Sequence, residues 1–556
     1  MAIQSQNHIC PSADTTELAL PPRPVPESDF QAAVQQWRAV LGTEHVLTDQ
    51  ATLDDYARCT LPRGTRPRAV LRPGSTEEVS RVAAIANAHR VPIYPISCGK
   101  NWGYGDRCAP TDGQVIVELA RMNRILEVNT ELAYAVIEPG VTQGQLSQYL
   151  AEHHIPLWID PTGAGPSASI LGNTVARGYG ITAYGDHFAQ LAGMEIVLAD
   201  GEIVRTGFGH FPGAKAWRVF PRGLGPYLDG LFTQSNLGIV TQIGVWLMPV
   251  PEHYELCLFS AEEEDALNPI VEQVRYLLLQ RVLAGSLNLM HRNRILTVLR
   301  QYPWDVMHGK TPMSDEVSRR LGRELSIGAW NGVAALYGTA RQVRAARAEI
   351  RRSLRAVVDR LAFVSEAKLR LASRVPWLVK LATGMDVQRL VDAVGPALAI
   401  ISGRPNGVSL NTCYWRSKQR PSGEAFDPVA SGCGVIWFSP VIPMTAEHVS
   451  DFRTIAQPIL HKHGFDCCIT LTAVNARSFD CTLPILYDLE DPKDARRAEL
   501  CHRELVTKCA AAGYLPYRLD IHSHALLVKQ EDTFCRLCAT VKSALDANNV
   551  LAPTRL

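Results

Sequence analysis

The chain has 556 residues, 46% of them hydrophobic and 20% charged, which suits a soluble globular protein of two or three folding units. Its 56 basic and 55 acidic side chains leave a formal charge of +1, which gives no reason to expect nucleic acid or an anionic membrane as partner. No window approaches 18 uninterrupted apolar residues, and the polar start "MAIQSQNHICPSADTTEL" lacks an apolar signal core, so neither a membrane span nor secretion is expected.

Residues 1–60 read as a polar, proline-bearing lead-in ("LPPRPVPESD") that runs into the start of a first domain. From residue 66 strands and helices alternate. "RAVLRPG" is a strand and turn; Ser75 and Glu78 have capping-box spacing before the helical "EEVSRVAAIANAH". A short apolar run, "RVPIYPI", leads into the glycine-rich "SCGKNWGYGD". Beyond it lie a strand "GQVIVEL", a strand–turn–helix "AYAVIEPGVTQGQLSQYLAEH", a hairpin around Asp200-Gly201 and a closing strand "GIVTQIGVWLMP". The character changes after Pro249-Val250-Pro251. Residues 260–400 carry long Arg/Leu/Ala-rich helical stretches, whose charge run reads as a solvated helix face. Strands return between 432 and 485 ("GVIWFSPVIP", "CCITLTAV", "FDCTLPILYD"). A helix, the segment "YLPYRLDIHSHALL" and a last helix follow. We expect an α+β chain with domains over 61–250 and 251–500, and a C-terminal segment, 501–556, that returns to the first domain.

Fourteen cysteines are scattered and form no metal framework. Cys535 and Cys538 give a single C-x-x-C with no second pair, and read as two small residues on a helix. Reduced thiols of a cytoplasmic protein are expected.

A glycine turn directly after a strand lets backbone amides approach a bound group closely, and that group is often a phosphate. The loop Pro95–Asp106 is not a Walker A loop, because Lys100 lacks the required glycine spacing and a following Ser/Thr. It lacks G-x-G-x-x-G as well. Its company is more specific. "VIEPGVTQGQL" (136–146), "IDPTGAGPSASILGNTVARGYGITAYGDH" (159–187) and "DGLFTQSNLGIVTQIGVWLMP" (229–249) follow in order. Together with the loop they resemble the FAD-binding domain of the vanillyl-alcohol oxidase/4-cresol dehydrogenase family of flavoproteins (the p-cresol methylhydroxylase, or PCMH, type). The resemblance spans about residues 60–250 and resumes in the C-terminal third.

That resemblance implies an α+β fold in which two α+β subdomains hold FAD and an α+β cap covers the flavin. It places Ser97, Cys98, Gly99, Lys100, Asn101 and Gly103 around the pyrophosphate, with small residues keeping the backbone close to the phosphate oxygens. Lys100 reads equally as a solvated surface lysine. Pro139 and Gly140 would flank the adenine end. Thr162, Gly163, Ser169, Gly172, Asn173, Gly185 and Ile239 would line the flavin and its ribityl chain. In phenol-oxidising members the loop ends in a tyrosine that meets a Tyr-Arg pair from the C-terminal segment; here these are Tyr104, Tyr517 and Arg518. Arg555 matches a further phenolate-facing arginine, or forms a surface ion pair. The implied reaction is oxidation of a para-substituted phenol, bound as phenolate, by benzylic hydride transfer to flavin N5 through a p-quinone methide. The expected partners are the small phenol, an electron acceptor that is O2 or a redox protein, and a second copy of the chain in a homodimer or higher oligomer.

Two departures stand out. Val435 occupies the position at which histidine-linked members attach FAD, and Tyr414 is the alternative tyrosine; non-covalent FAD is expected. Where the alcohol-oxidising branch has an aspartate three residues after Asp160, this chain has Gly163. Asp480, His522 and His524 are the remaining candidates for a base. Two other readings stand beside the phenol one: a PCMH-fold flavoenzyme for a hydroxy acid or sugar, and a catalytically inactive flavin-binding or scaffold protein.

Overall fold

The computed structural model describes residues 24–374, 387–417, 426–528 and 532–555. Most of the expected lead-in, residues 1–23, lies outside the described residues.

The first layer is a four-stranded sheet with strand order Val46–Leu47, Val70–Leu71, Val115–Glu118, Ile93–Ile96. The last three strands run parallel. They read as unbroken apolar runs because helices cover them. One is the helix Thr76–Ala88, which buries Val79, Val82, Ala83 and Ala86. Its start is fixed as the sequence predicts: Ser75 Oγ accepts from the Glu78 amide at 3.2 Å, and the Glu78 carboxylate accepts from the Gly74 amide at 2.6 Å.

The second layer is a five-stranded antiparallel sheet, ordered Ile125–Asn129, Tyr134–Ile137, Ile239–Trp246, Leu191–Val197, Ile203–Arg205. The hairpin at Asp200-Gly201 joins its last two strands in sequence, with Gly201 at φ +89°. Leu191–Val197 is buried along its whole length.

The cap is an eight-stranded antiparallel sheet. Its path runs Arg360–Val364, His253–Ala261, Trp330–Gly338, Leu287–His291, Thr470–Ala473, Ser478–Asp488, Cys433–Phe438, and Val441–Pro443 adds on to Ser478–Asp488. The helices Leu267–Leu279, Ala446–Lys462 and Pro492–Ala511 close one face around a single large apolar core. The last of these helices straddles the expected boundary at residue 500, and its buried residues Ala498, Cys501, Leu505 and Cys509 all join the cap core. Beyond it the chain returns to the first sheet. Ile93 donates to Val550 O at 2.8 Å, and Ala552 donates back to Ile93 O at 2.7 Å. The C-x-x-C lies on the helix Thr533–Leu545, where Cys535 is buried and Cys538 half-buried. Among the described residues, no helix is long and apolar enough to cross a membrane.

Candidate active site

The glycine-rich loop leaves the strand Ile93–Ile96 and turns sharply at Gly99 (φ +63°), Gly103 (φ +76°) and Gly105 (φ +129°). Only glycine suits Gly103. A Cβ there would lie 2.3 Å from Cδ1 of Trp437 in the cap, and L residues seldom adopt that φ. The loop is pinned from outside. Thr60 Oγ1 accepts from the Gly103 amide at 2.8 Å, and the buried Asp106 carboxylate accepts from both the amide and the hydroxyl of Thr60. Within the loop, the amides of Tyr104 and Asp106 donate to Asn101 O. The amides of Cys98, Gly99, Lys100, Asn101 and Trp102 find no acceptor among the described residues. Consecutive orphan N–H groups in a glycine turn form an anion nest, so the loop fits a diphosphate.

The turn and helix predicted to complete the cradle come to the same place. Cys98 Sγ lies 3.7 Å from Gly140 O, and Ser169 Oγ donates to Pro139 O at 2.6 Å while accepting from the Gly172 amide at 2.9 Å. A Cβ on Gly172 would stand 2.2 Å from Ser97 Oγ. The helix Ile170–Val175 therefore presses against the loop because residue 172 has no side chain. Ser97, Cys98, Pro139, Gly140, Ser169 and Gly172 thus converge. Thr162 is tied through its amide to Gln143 Oε1 at 2.9 Å, and Gly163 faces Ser409 of the cap. Gly185 packs on Gly180 O. Ile239 opens its strand in the buried core, 1% exposed. Lys100 points to Asp427 at 3.4 Å and lies over the Trp102 ring at 5.0 Å, so its cation is already engaged by the cap side.

One part of this wall was not singled out from sequence. His187 bridges Asn173 Oδ1 (2.6 Å) and Asp160 Oδ2 (2.7 Å), and Asp160 Oδ1 accepts from the Thr182 amide at 2.8 Å. Asp160, Asn173 and His187 together line a small cavity of about 30 Å³ with Thr162 and Ser169. The sequence signal was the "YGDH" ending of the 159–187 motif, but spacing alone does not say that His187 folds back 27 residues onto Asp160.

The C-terminal segment is strung between cap and loop. Tyr517 N donates to Ser439 O at 3.1 Å, and Ile521 N donates to Tyr104 O at 3.1 Å. This brings Tyr104, Tyr517 and Arg518 together. Tyr104 is buried, its hydroxyl 3.0 Å from Ser439 Oγ and also hydrogen-bonded to the Tyr517 side chain. The Arg518 guanidinium stacks over the Tyr104 ring, 3.9 Å from its centroid, and donates to Asn101 Oδ1. Tyr179 packs against Tyr517 with ring centroids 5.1 Å apart.

Burial raises the Tyr104 hydroxyl above its ordinary pKa and raises Tyr517 well above; Arg518 pulls both the other way without prevailing. Both tyrosines are therefore neutral O–H donors near neutral pH, and Arg518 is the cation beside them. Asp480 lies among the same groups. It is 2% exposed, its Oδ1 has no partner, and burial lifts its carboxyl well above the usual range despite Arg518.

Arg555 is placed elsewhere. Its guanidinium donates to the Tyr94 hydroxyl at 2.9 Å and its carbonyl accepts from Asn236 at 2.7 Å. It faces His524, whose ring nitrogens are both buried without a partner and whose pKa is pushed down to about 4 by burial and by Arg555. His522 donates or accepts at Arg63 O, 2.9 Å away. Val435 is fully buried in the strand Cys433–Phe438, and Tyr414 is fully buried beside it in one apolar cluster.

Comparison with known proteins agrees with this geometry. Residues 67–207 match the model of an FAD binding domain. The chain is 38% identical to 1'-carboxy-chondrochloren decarboxylase of Chondromyces crocatus over 95% of this chain and 97% of that one. It is 33% identical to the flavoprotein subunit of hydroxylating 4-cresol dehydrogenase of Pseudomonas putida over 97% of each. The chain belongs to the 4-cresol dehydrogenase (PCMH-type) flavoprotein family. A crystal structure of p-cresol methylhydroxylase with substrate bound superposes on this PCMH-type chain with a TM-score of 0.85 at 30% identity, covering 96% of this chain and 98% of that one. As a PCMH-type flavoprotein the chain is an FAD-dependent oxidoreductase, and FAD is its cofactor.

Proposed function

We propose that the protein oxidises a para-substituted phenol bound as phenolate. The observation that carries this reading is the convergence of two neutral tyrosine hydroxyls, Tyr104 and Tyr517, with the Arg518 cation at the end of the FAD loop. Two O–H donors and a guanidinium favour the ionised form of one acceptor oxygen, so a phenol with a free pKa of about 10 binds as its anion near neutral pH. A hydroxy acid or sugar has no comparable use for this set.

Ionisation pushes electron density through the ring toward the benzylic carbon. Bound FAD supplies the two-electron acceptor, taking the benzylic hydride at N5 and leaving a p-quinone methide. The chain's own task is electrostatic and geometric. The orphan amides of Cys98–Trp102 hold the diphosphate, Arg518 and the tyrosines hold the phenolate, and Asn101 ties the two together by accepting from Arg518. Asp480, buried and protonated, supplies a neutral carboxyl that holds a proton beside the clamp. FAD is held non-covalently, because Val435 cannot bond it and Tyr414 is enclosed in the cap core. The protein works as a homodimer or larger oligomer, with O2 or a redox protein as final acceptor.

A second reading differs only at the benzylic side. The site has Gly163 in place of a second carboxylate, and the 38% identical relative is a decarboxylase. The substrate phenol would then carry a side-chain carboxylate, lost as CO2 as FAD takes the two electrons.

Anaerobic mixing with a 4-alkylphenol separates these ideas. Bleaching of the oxidised flavin band is expected. Bleaching only by phenols with a carboxylated side chain, with CO2 released, selects the second reading. Bleaching only by hydroxy acids, or by none of these, overturns both. Flavin retained on denatured protein after ultrafiltration would overturn non-covalent attachment.

A further inference from the structure

The cap holds a second polar cavity, of about 110 Å³, that shares no residue with the flavin and phenol site. It lies where the strand Leu287–His291 runs into the helix Arg292–Leu299, between the helices Asp315–Glu324 and Ala446–Lys462. Its floor is Trp330, fully buried, whose indole N–H donates to Glu264 O at 3.1 Å. The guanidinium of Arg453 lies over that indole, 4.9 Å from its centroid.

The charges lining the cavity do not balance. Asp466 is already used, accepting from the Met313 amide and the Trp415 indole and pairing with Arg416. Glu264 and Asp315 then face three guanidiniums, Arg292, Arg319 and Arg453, with His291 and His461 beside them. Glu264 anchors the set. It meets His291 at 3.0 Å and Arg453 at 3.0 Å, while Arg292 Nη2 stays 3.6 Å away, beyond a good hydrogen bond. Arg292 is 8% exposed as a side chain and sits close enough to Arg319 to be repelled by it. The Nε of Arg453 is buried without a partner, and Arg319 makes no ion pair among the described residues. Guanidinium donors thus outnumber their acceptors in a walled space with an aromatic floor, a set suited to a planar or tetrahedral oxyanion.

Size narrows the ligand. Cavities of about 150 Å³ hold a benzene ring, so this one is too small for the aromatic substrate and fits a compact anion. We propose that the cap carries a binding site for a small multivalent oxyanion of the phosphate type, held by Arg292, Arg319 and Arg453 and separate from the flavin site. A ligand there bridges the helices Asp315–Glu324 and Ala446–Lys462 across the cap sheet.

The test is calorimetric titration of inorganic phosphate into FAD-saturated, full-length protein, in chloride buffer at matched ionic strength. One saturable site per chain is expected, weakened at least tenfold in Arg319→Gln, an exposed residue whose loss leaves the Glu264 shell intact. Arg453→Gln should remove binding, and an unchanged flavin spectrum in both variants shows that they are folded. No saturable binding to the wild type overturns the proposal. So does unchanged affinity in Arg319→Gln, or loss of binding in Tyr517→Phe, which would put the phosphate in the phenol cleft instead.

Discussion

Two carboxylates of the cap, Asp480 and Glu264, meet arginines and end in opposite states. Asp480 is 2% exposed and its one neighbouring cation, Arg518, is spent on Asn101 and the Tyr104 ring. Desolvation wins, and the carboxyl is held well above its usual range. The Glu264 side chain is 42% exposed, with His291, Arg292 and Arg453 around it, and its carboxyl is held down to about 2. What decides the outcome is where the cations' hydrogen bonds go and how much water is left, since both groups have a cation close by. The difference also sorts the two regions by task. The loop end keeps neutral donors for an anionic substrate oxygen, whereas the cap cavity keeps fixed charges.

The comparison is sharpened most by a third carboxylate, Asp106, which pins Thr60 behind the loop. Burial pushes it up to about 7. Its folded pKa lies above its unfolded value of about 4, so the folded state binds the extra proton. Its contribution is full below about pH 4 and is lost as pH rises through 7. Three pKa units correspond to about 4 kcal/mol. Denaturant unfolding at pH 5 and pH 8 should therefore show wild-type stability falling with pH, and Asp106→Asn should flatten that fall. A wild type equally stable at both pH values would place Asp106 with Glu264 rather than with Asp480.

Next in size is Arg518→Ala. If the loop end works by electrostatics, reduction of the flavin by a 4-alkylphenol should slow by about 10²–10³-fold, with FAD still bound. An unchanged rate would leave the clamp without its cation and break the contrast from that side. Glu264→Gln should cost about 1–2 kcal/mol in thermal or denaturant unfolding, a figure reduced for the solvent reaching its side chain, because it strands Arg292 and Arg453. Asp480→Asn should be smallest, within about 1 kcal/mol, since a protonated carboxyl and an amide are nearly isosteric and both neutral. A larger loss there, growing with pH, would show that Asp480 is ionised after all.

Much of the fold was legible because it is local. Ser75 with Glu78, the Asp200-Gly201 hairpin and the apolar runs of the parallel strands announce themselves through capping, turn chemistry and burial pattern. The glycine loop announced a close backbone approach, and its five orphan amides bear the physical sense of that reading. The bridge from His187 to Asp160, the placement of Arg555 against Tyr94, and Ser439 as partner of Tyr104 were not legible. Each joins residues far apart in sequence whose types are common, so no spacing marks them.

The sequence by itself determined the order of elements, the glycine positions that only a bare backbone fills, and the residue types able to hold FAD and a phenolate. Tertiary structure decided which of them meet. It strung Tyr517 and Arg518 between Ser439 and Tyr104, left Arg555 beside His524, and gathered three arginines over Trp330 in the cap. The reason is physical: local backbone preference acts over a few residues, whereas burial and charge compensation act between whatever side chains the packed sheets bring together.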